Sequence, residues 1–460
     1  MNQLKIYPIA PEEPKSQMYT VRVNGLETGV YTSFRFDPKQ ASERIQGRPV
    51  SPVSFTAFDF EGEAEIEIRL KRLPTHKVMV RPLSLGIHPE TDGTVIRLKI
   101  TQNANFSVEP FGEQEPLHIF ANPMETDIPD KTAPNVHYFE AGTHRIDPIR
   151  LKDNDIVYLE GGAFVYAKPQ PPEKRKPFGL VNAIEMWWTD FTLMAEGVKN
   201  VRIAGRGVLC GRKTLEACQR HRLLGIMRST DVTVEGIVFR EGTSWSIHTE
   251  EASQVLIDNV KVLGHFANND GIDVCDSHDV LVRNSFAHNA DDSFLVKAFK
   301  PVSNVVFENC VAWNDVSTSF GAVCEIAAEA KNIVFRSCTV THSTFPLWDH
   351  DAGGVIGVWN AYGGTAENFL FEDITIEKAA AGKEPIKVSA VWLDSGRVRN
   401  VTFRNIDVLD SGDERIAVYG QQEKMVDRVH FENICINGRY LRDPADPRIV
   451  NSCNADITVQ

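Results

Sequence analysis

A short pattern of alternating apolar and polar residues recurs along residues 199–436. In each copy a polar residue precedes Val-x-(Ile, Val or Phe)-x-(Asn, Gly, Ser or Asp), as in KNVRIAGRGV, SNVVFENCVA, KNIVFRSCTV and RNVTFRNIDV. A period of two, with β-branched and aromatic residues at the inward positions, indicates β-strands that bury one face. The copies start at Val201, Val232, Val255, Val280, Val305, Ile333, Phe369, Val401 and Val429.

The spacing of these copies predicts the fold. Successive starts are separated by about 28 residues on average. A coil of this size suits a right-handed parallel β-helix, in which strands of successive coils stack about 4.8 Å apart. Asparagines recur at the turn position of the pattern, and we expect them to stack as a structural ladder in the bends: Asn259, Asn284, Asn309, Asn405 and Asn433.

The first 120 or so residues follow a different pattern. Segments such as TAFDFEGEAEIEIRL and TVIRLKITQN alternate in polarity but show no 25-residue repeat, and Pro, Gly and Asp-Gly turns separate them. The prolines of residues 121–135 indicate a linker. We therefore predict an all-β protein with an N-terminal β-sandwich domain at 1–125 and a right-handed parallel β-helix domain at 132–460.

Composition and charge exclude several classes of protein. Of the 460 residues, 42% are hydrophobic and 24% charged, as in ordinary folded domains. The net charge of −13 argues against binding to nucleic acid or anionic membranes. There is no apolar run of the roughly 18 residues that a membrane helix needs, and no signal peptide at the start. We expect a cytoplasmic protein, or a secreted one if a signal was removed from the chain.

Two acidic clusters carry the candidate chemistry. They are N-N-D-G-I-D at 268–273 and N-A-D-D at 289–292. Asp270 precedes Asp291 by 21 residues and Asp292 by 22, close to one coil, so the three carboxylates should converge on one side of the solenoid. Neighbouring carboxylates disfavour joint ionisation, which raises the pKa of at least one of them. A protonated carboxyl beside an ionised one is the arrangement that glycosidic bond hydrolysis requires.

The two motifs N-N-D-G-I-D and N-A-D-D-S-F-L-V-K resemble those of the polygalacturonase family of glycoside hydrolases and of the related dextranase and isopullulanase family. The resemblance covers about residues 132–436, and a sandwich ahead of the helix is similar to the dextranase group. Both families are right-handed parallel β-helices with inverting chemistry. The resemblance implies that Asp291 is the general acid and that Asp270 and Asp292 position and deprotonate the attacking water. It also implies that Lys297 contacts substrate, although a rim lysine with no such role is the alternative.

The departures from the polygalacturonase pattern concern the substrate. Phe320, in S-F-G, stands where those enzymes carry the His of Gly-His-Gly, and no Arg-Ile-Lys triplet follows; that region reads GVWNAYGG at 357–364. In the resembling enzymes these basic residues pair with the galacturonate carboxylate, a contact for which Arg is well suited. We therefore expect a neutral or weakly charged oligo- or polysaccharide, such as a dextran-type glucan. A polygalacturonase-type pectin hydrolase is the alternative.

Other side chains are candidates for binding the sugar. Aromatic rings offer stacking surfaces for sugars, and His and Asp bind hydroxyl groups. The longest step of the pattern contains an insertion at 342–354 that is rich in Trp, His and Asp. The candidates for substrate binding, besides Lys297, are Trp245, Trp348, Trp359, His248, His350 and Asp273.

Two further functional classes stay open. In a polysaccharide lyase the aspartates would hold calcium and Lys297 would be the base. In a non-catalytic carbohydrate-binding solenoid the aspartates would only cap turns. The histidines lack the spacing of a zinc motif, so for the hydrolase we predict no metal and no cofactor.

Overall fold

The computed structural model describes residues 2–39, 43–181, 183–345, 354–391 and 393–460. Two sheets, one of seven and one of five strands, form the N-terminal part. The seven-stranded sheet consists of Gln3–Ile6, Tyr31–Phe36, Glu43–Ile45, Arg48–Glu61, Met79–Arg81, Ala104–Glu113 and Leu117–Asn122. The five-stranded sheet consists of Tyr19–Val23, Leu26–Thr28, Ala64–Leu70, Glu90–Asp92 and Val95–Ile100.

These two sheets form a β-sandwich because each buries one apolar face against the other. In Ala64–Leu70 every second residue is buried, as the alternating pattern predicts. Ile66 and Ile68 of one sheet share a buried cluster with Phe58 and Phe106 of the other. The predicted sandwich is confirmed, whereas the division of the chain at 125 and 132 into two domains stays a prediction.

The remainder is a right-handed parallel β-helix built from two long sheets. The 21-stranded sheet consists of Val136–Phe139, Gly142–Ile146, Ile156–Leu159, Ala163–Ala167, Lys199–Gly205, Val208–Cys210, Thr230–Glu235, Val238–Arg240, Ser253–Asp258, Lys261–Leu263, His278–Arg283, Phe286–Asn289, Val302–Glu308, Val311–Asn314, Glu329–Arg336, Thr339–Ser343, Thr365–Ile376, Arg397–Val408, Val426–Ile436, Arg439–Tyr440 and Ile457–Val459. The 11-stranded sheet consists of Ile149–Arg150, Leu193–Glu196, Leu224–Met227, Ile247–Glu250, Ile272–Cys275, Phe294–Ala298, Phe320–Ile326, Ile356–Asn360, Ile386–Ala390, Ile416–Gly420 and Ile449–Asn451.

The repeated sequence pattern fixes the register of the coils. Val201 pairs with Val232, Val232 with Val255, and each later start of the pattern pairs with the next, ending with Val429. The residues at these starts are buried in one continuous apolar core. Like residues therefore stack on like along the axis, as a solenoid of nearest-neighbour contacts requires.

Asparagine side chains join successive coils at the bends. The Asn309 amide donates to the Asn284 side chain at 2.8 Å, and the Asn433 amide donates to the Asn405 side chain at 3.0 Å. These asparagines have positive φ, a conformation that Asn tolerates better than most residues. Asn259 instead donates to Asn122 of the sandwich. The structural role predicted for these asparagines fits this geometry, although the ladder lies at the surface of the bends.

Few other elements are present among the described residues. Lys176–Val181, Ile184–Trp188 and Gln219–Arg220 form a three-stranded sheet, and Arg212–Glu216 is a short α-helix. Leu83–Leu85 and Pro172–Lys174 are single 3₁₀ turns. None of the described helices is long and apolar enough to cross a membrane.

Candidate active site

The two acidic motifs lie on neighbouring coils, at equivalent positions beside the 11-stranded sheet. Ile272 pairs with Phe294, and Asp270 and Asp292 each precede these core residues by two positions. The backbone N–H of Gly271 donates to the Asp292 carbonyl at 2.8 Å. The one-coil spacing in the sequence therefore predicted the juxtaposition of these two aspartates correctly.

Close stacking explains why these motifs contain Gly and Asn. A Cβ on Gly271 would lie 2.3 Å from the Ser293 carbonyl oxygen, so a larger residue would force the coils apart. The Asn289 side-chain amide donates to the carbonyls of Asn269, Asp291 and Asp292, each at 2.8 Å. These bonds satisfy buried carbonyl groups and hold both acidic motifs in one rigid arrangement.

Lys297 lies at the centre of the acidic cluster. Alternation along Phe294–Ala298 buries Phe294 and Val296 in the core and directs Lys297 to the outer face of the sheet. Its Nζ is 3.1 Å from Asp270, 3.5 Å from Asp292, 3.7 Å from Asp273 and 3.3 Å from Glu325. Only 3% of Lys297 is exposed, so the lysine is a buried counter-ion.

Burial and mutual repulsion raise the pKa values of these acids. Burial raises the pKa of Asp273 to about 7 and that of Asp292 to about 6, against the opposing effect of Lys297. Burial likewise raises the pKa of Asp270 well above its usual value. Burial alone would lower the pKa of Lys297, but the four carboxylates outweigh it and hold that pKa well above normal. The cluster therefore keeps a charged ammonium and shares protons among its acids near neutral pH.

Hydrogen bonds from the next coil position Asp292. The Ser317 hydroxyl donates to Asp292 Oδ1 at 2.5 Å, and the backbone N–H of Thr318 donates to the same oxygen at 3.3 Å. The Lys383 Nζ donates to the Ser317 carbonyl at 2.6 Å and is itself buried, which lowers the pKa of Lys383 to about 7. These donors favour the ionised form of Asp292 and fix one of its oxygens.

Asp291 differs from the other aspartates in exposure and partners. Its Oδ2 accepts from the backbone N–H of Asn268 at 2.9 Å, and its Oδ1 accepts from the N–H of Asp292 at 3.1 Å. It is partly exposed and forms no ion pair with Lys297 among the described residues. Asp291 is thus a partly exposed carboxyl group beside the buried Asp270 and Asp292.

The structure places the other candidate residues in three ways. Trp245 stacks on His248 with ring centroids 5.0 Å apart, and the Lys297 Nζ lies 4.5 Å from the Trp245 ring. His248 pairs with Asp273 across neighbouring strands, and burial lowers the pKa of His248 to about 4.

Trp359 is buried against Leu295, and its indole N–H donates to the Val391 carbonyl. Its ring therefore offers little surface to a sugar. The predictions for Trp348 and His350, and most of the insertion at 342–354, lie outside the described residues.

Several residues near the site were not predicted from the sequence. Glu325 reaches Lys297 because the strand pairing shifts register between Val296 and Ala298, where Phe320–Ile326 has extra residues. Arg220 and Arg222 lie near the aspartates, and the Arg222 guanidinium is 4.5 Å from the Trp245 ring. Coil spacing could have found Arg222, which precedes Trp245 by 23 residues, about one coil. The strand pairing places Arg222, Trp245 and Asp270 at equivalent positions on successive coils. The bulge that places Glu325 has no such signal.

The arrangement can support acid and base chemistry at one bond. Asp291 is accessible from solvent, while Asp270 and Asp292 lie within 3.5 Å of one buried ammonium. Asp270 Oδ1 and both oxygens of Asp273 accept no hydrogen bond from any described residue. Buried polar atoms without partners are costly, so these oxygens are suited to a water molecule or a sugar hydroxyl.

The chain is similar to proteins of known family and structure. The family described as Glycosyl hydrolases family 28 matches residues 189–446. An exopolygalacturonase from Cochliobolus carbonum is 25% identical over 252 residues, covering 50% of this chain and 50% of that protein. The chain thus spans about half the length of this curated relative. The structure of Dex49A from Penicillium minioluteum superposes with a TM-score of 0.58 at 14% identity, covering 99% of this chain and 96% of that one, a likeness of fold alone.

Proposed function

The chain belongs to glycosyl hydrolases family 28, and from this premise we propose that it hydrolyses glycosidic bonds of an oligo- or polysaccharide with inversion at the anomeric carbon. In this proposal Asp291 is the general acid that protonates the leaving oxygen. Asp270 and Asp292 bind and deprotonate the attacking water. The family predicted from the acidic motifs is confirmed, and the residue roles are part of the proposal.

One observation carries the proposal: aspartates from two consecutive coils meet around the buried Lys297. The buried Lys297 ammonium offsets the repulsion between Asp270 and Asp292 and so holds the two carboxylates close together. Asp292 has one oxygen fixed by Ser317, and its pKa of about 6 makes it a base that ionises below neutral pH. The partly exposed Asp291 lies beside this pair, where a leaving group can reach it.

For the substrate we propose a neutral or weakly charged glycan as the first candidate. Glu325 and the aspartates make this part of the site acidic, and carboxylates bind sugar hydroxyls well but repel a uronate. The second candidate is an acidic glycan of the pectin type. Arg220 favours it, because this arginine is buried near Asp270 and Asp291 while its Nε and Nη1 lack hydrogen-bond partners among the described residues.

The lyase and the binding solenoid are less well supported. A lyase would need Lys297 to accept a proton, but the surrounding carboxylates raise the pKa of Lys297 and keep it charged. In the part of the chain that the structure describes, no set of three or more His, Cys, Asp or Glu is arranged to hold a metal ion. A binding solenoid has no need for carboxyls whose pKa values burial raises at the point of contact.

The test is turnover of defined oligosaccharides by the wild type and by Asp291→Asn. Both proteins are incubated with neutral glucan and galacturonate oligosaccharides, and reducing ends and the released anomer are followed by proton NMR. We expect the wild type to release the inverted anomer and Asp291→Asn to lose about 10³-fold in kcat. Release of the retained anomer, or equal turnover by both proteins, would contradict the mechanism. The sugar that is cleaved decides between the two substrate candidates.

A further inference from the structure

A pair of sandwich strands docks on the coils that flank the acidic motifs. The backbone N–H of Phe36 donates to Asp315 Oδ2 at 3.0 Å, and Arg35 forms an ion pair with the same carboxylate at 3.1 Å. Ser33 donates to Glu241 at 3.2 Å. Glu241 lies on a coil before Asp270, and Asp315 lies on a coil after Asp292. The strand Tyr31–Phe36 therefore spans the coils that carry the proposed catalytic acids.

The paired strand brings Arg48 to the same place. Arg48 begins the strand Arg48–Glu61, and its guanidinium carbon lies 4.1 Å from the centroid of the Phe36 ring. Burial lowers the pKa of Arg48, and the nearby carboxylates of Asp291 and Asp315 oppose this effect. Among the described residues, however, Arg48 forms no ion pair within 4.0 Å, and its buried Nε has no hydrogen-bond partner. Arg48 is thus a partly buried cation near Asp291 that forms no ion pair with it among the described residues.

Two buried groups of the β-helix show the same lack of partners. Arg220 donates to Asn268 Oδ1 at 3.0 Å, and the N–H of Asn268 donates to Asp291. Two other guanidinium nitrogens of Arg220 have no hydrogen-bond partner in the part of the chain that the structure describes. Neither ring nitrogen of His265, which lies near Arg48, has a partner among the described residues. A buried donor without a partner destabilises the protein, because it has given up its hydrogen bonds to water. Such donors, brought together from two parts of the chain, are suited to an acceptor-rich ligand.

We propose that Arg48 is a substrate-binding residue, which makes the N-terminal sandwich part of the substrate site. Its guanidinium donates to hydroxyl or carboxyl oxygens of the sugar unit that adjoins Asp291, alongside Arg220 and His265. Phe36 holds the guanidinium plane, and Asp315 anchors Phe36 to the helix. This inference rests on the proposed function in so far as Asp291 marks the bond that is cleaved.

Binding is measured separately from turnover so that the two proposals can fail independently. Asp270→Asn serves as the background, because it should remove turnover and leave Asp291 intact. Calorimetry with isomaltotetraose and with tetragalacturonate gives Kd for this protein with and without Arg48→Met. We expect Arg48→Met to raise the Kd of the more tightly bound ligand by about tenfold, which corresponds to the loss of one charged hydrogen bond.

Three further variants define the outcome. Arg48→Lys keeps the positive charge but removes the guanidinium that lies over Phe36, and we expect it to weaken binding less than Arg48→Met does. Arg44→Met removes an exposed arginine of the same strand region and should leave Kd unchanged. Unchanged Kd in Arg48→Met would overturn the inference. Weaker binding in Arg48→Met together with no turnover by the wild type would support the inference and count against the hydrolase instead.

Discussion

Two buried clusters of charged residues lie about one coil apart, and the pKa values of their carboxyl groups are shifted in opposite directions. At the contact between sandwich and β-helix, Asp315 is fully buried. Its carboxylate forms an ion pair with Arg35, contacts His288 and accepts a hydrogen bond from the N–H of Phe36. Burial would raise the pKa of Asp315, but these partners outweigh it and hold that pKa below normal. The Lys297 ammonium, in contrast, is shared by four carboxylates. Burial raises the pKa values of three of them, Asp270, Asp273 and Asp292.

The difference separates a structural cluster from a candidate active site. Both oxygens of Asp315 have partners, so its charge joins two parts of the chain. Asp273 leaves both oxygens without hydrogen-bond partners among the described residues, and Asp270 leaves one. Unpaired groups and raised pKa values destabilise the folded state, and such features concentrate where a protein binds or reacts. Replacing an aspartate by asparagine should therefore change the stability of the protein in opposite directions in the two clusters.

The largest effect is expected for Lys297→Met. It leaves Asp270, Asp273, Asp292 and Glu325 without their shared cation, which should lower the free energy of unfolding by about 3 kcal/mol at pH 8. The loss should shrink towards pH 4, because the carboxyls then carry protons and need no counter-ion. Urea unfolding at the two pH values measures this. Lys300→Met, which removes an exposed lysine paired with Glu251, is the control and should change little.

Asp315→Asn tests the structural cluster. The folded pKa of Asp315 is lowered, so its carboxylate stabilises the fold above its unfolded pKa, near 3.8, and this contribution is lost as pH falls through the folded pKa. At pH 7 we expect a loss of about 3 kcal/mol, because Arg35 keeps a buried charge without its partner. Asp279→Asn, at an exposed aspartate, should cost far less. Equal unfolding midpoints for these two variants would refute the assignment of Asp315 as a structural anchor.

Asp273→Asn should do the reverse and stabilise the protein. Burial raises the folded pKa of Asp273 to about 7, so ionising it in the folded state costs stability as pH rises from about 4 to 7. An amide avoids this cost, and we expect a gain of about 2 kcal/mol at pH 8 and almost none at pH 4. Thermal unfolding at both pH values is the measurement. A loss of stability at pH 8 would mean that Asp273 acts mainly as a structural partner of Lys297.

The smallest effect is a shift in the pH profile of Ser317→Ala. The Ser317 hydroxyl donates to Asp292 and lowers its pKa against burial, so its removal should raise that pKa by about one unit. If Asp292 acts as a base, the acidic limb of kcat/KM moves to higher pH by the same amount. Ser319→Ala is the matched control, because it removes a buried hydroxyl on the same coil that has no hydrogen-bond partner among the described residues. An acidic limb that stays in place would show that Asp292 does not ionise in that step.

Much of the fold could be predicted from the sequence because stacking depends on neighbours in the pattern. Each start from Val201 to Val429 pairs with the next, and the apolar residues that face inward do so because of period-two alternation. The approach of Asp270 to Asp292 followed from the same rule. The same rule could have predicted Arg222, since the strand pairing makes it equivalent to Trp245 and Asp270.

Other parts of the site could not be read from the coil spacing. Glu325 reaches Lys297 through a local shift of register, which breaks the repeat instead of following it. Arg48 comes from a sandwich strand more than 200 residues before Asp291. Trp359 was expected to bind sugar, yet the structure buries it against Leu295, because side chains on the outer face of the sheet can still be covered by neighbouring chain.

The sequence by itself determined the coil, its register and the meeting of the acidic motifs, because strand stacking repeats a local pattern from one coil to the next. Only the tertiary structure decided which carboxylates are charged. That outcome depends on how deeply each group is buried and on the sum of charges from distant segments. Lys297 lies among four acids, whereas Asp315 lies between Arg35 and His288, and no local pattern distinguishes these two environments.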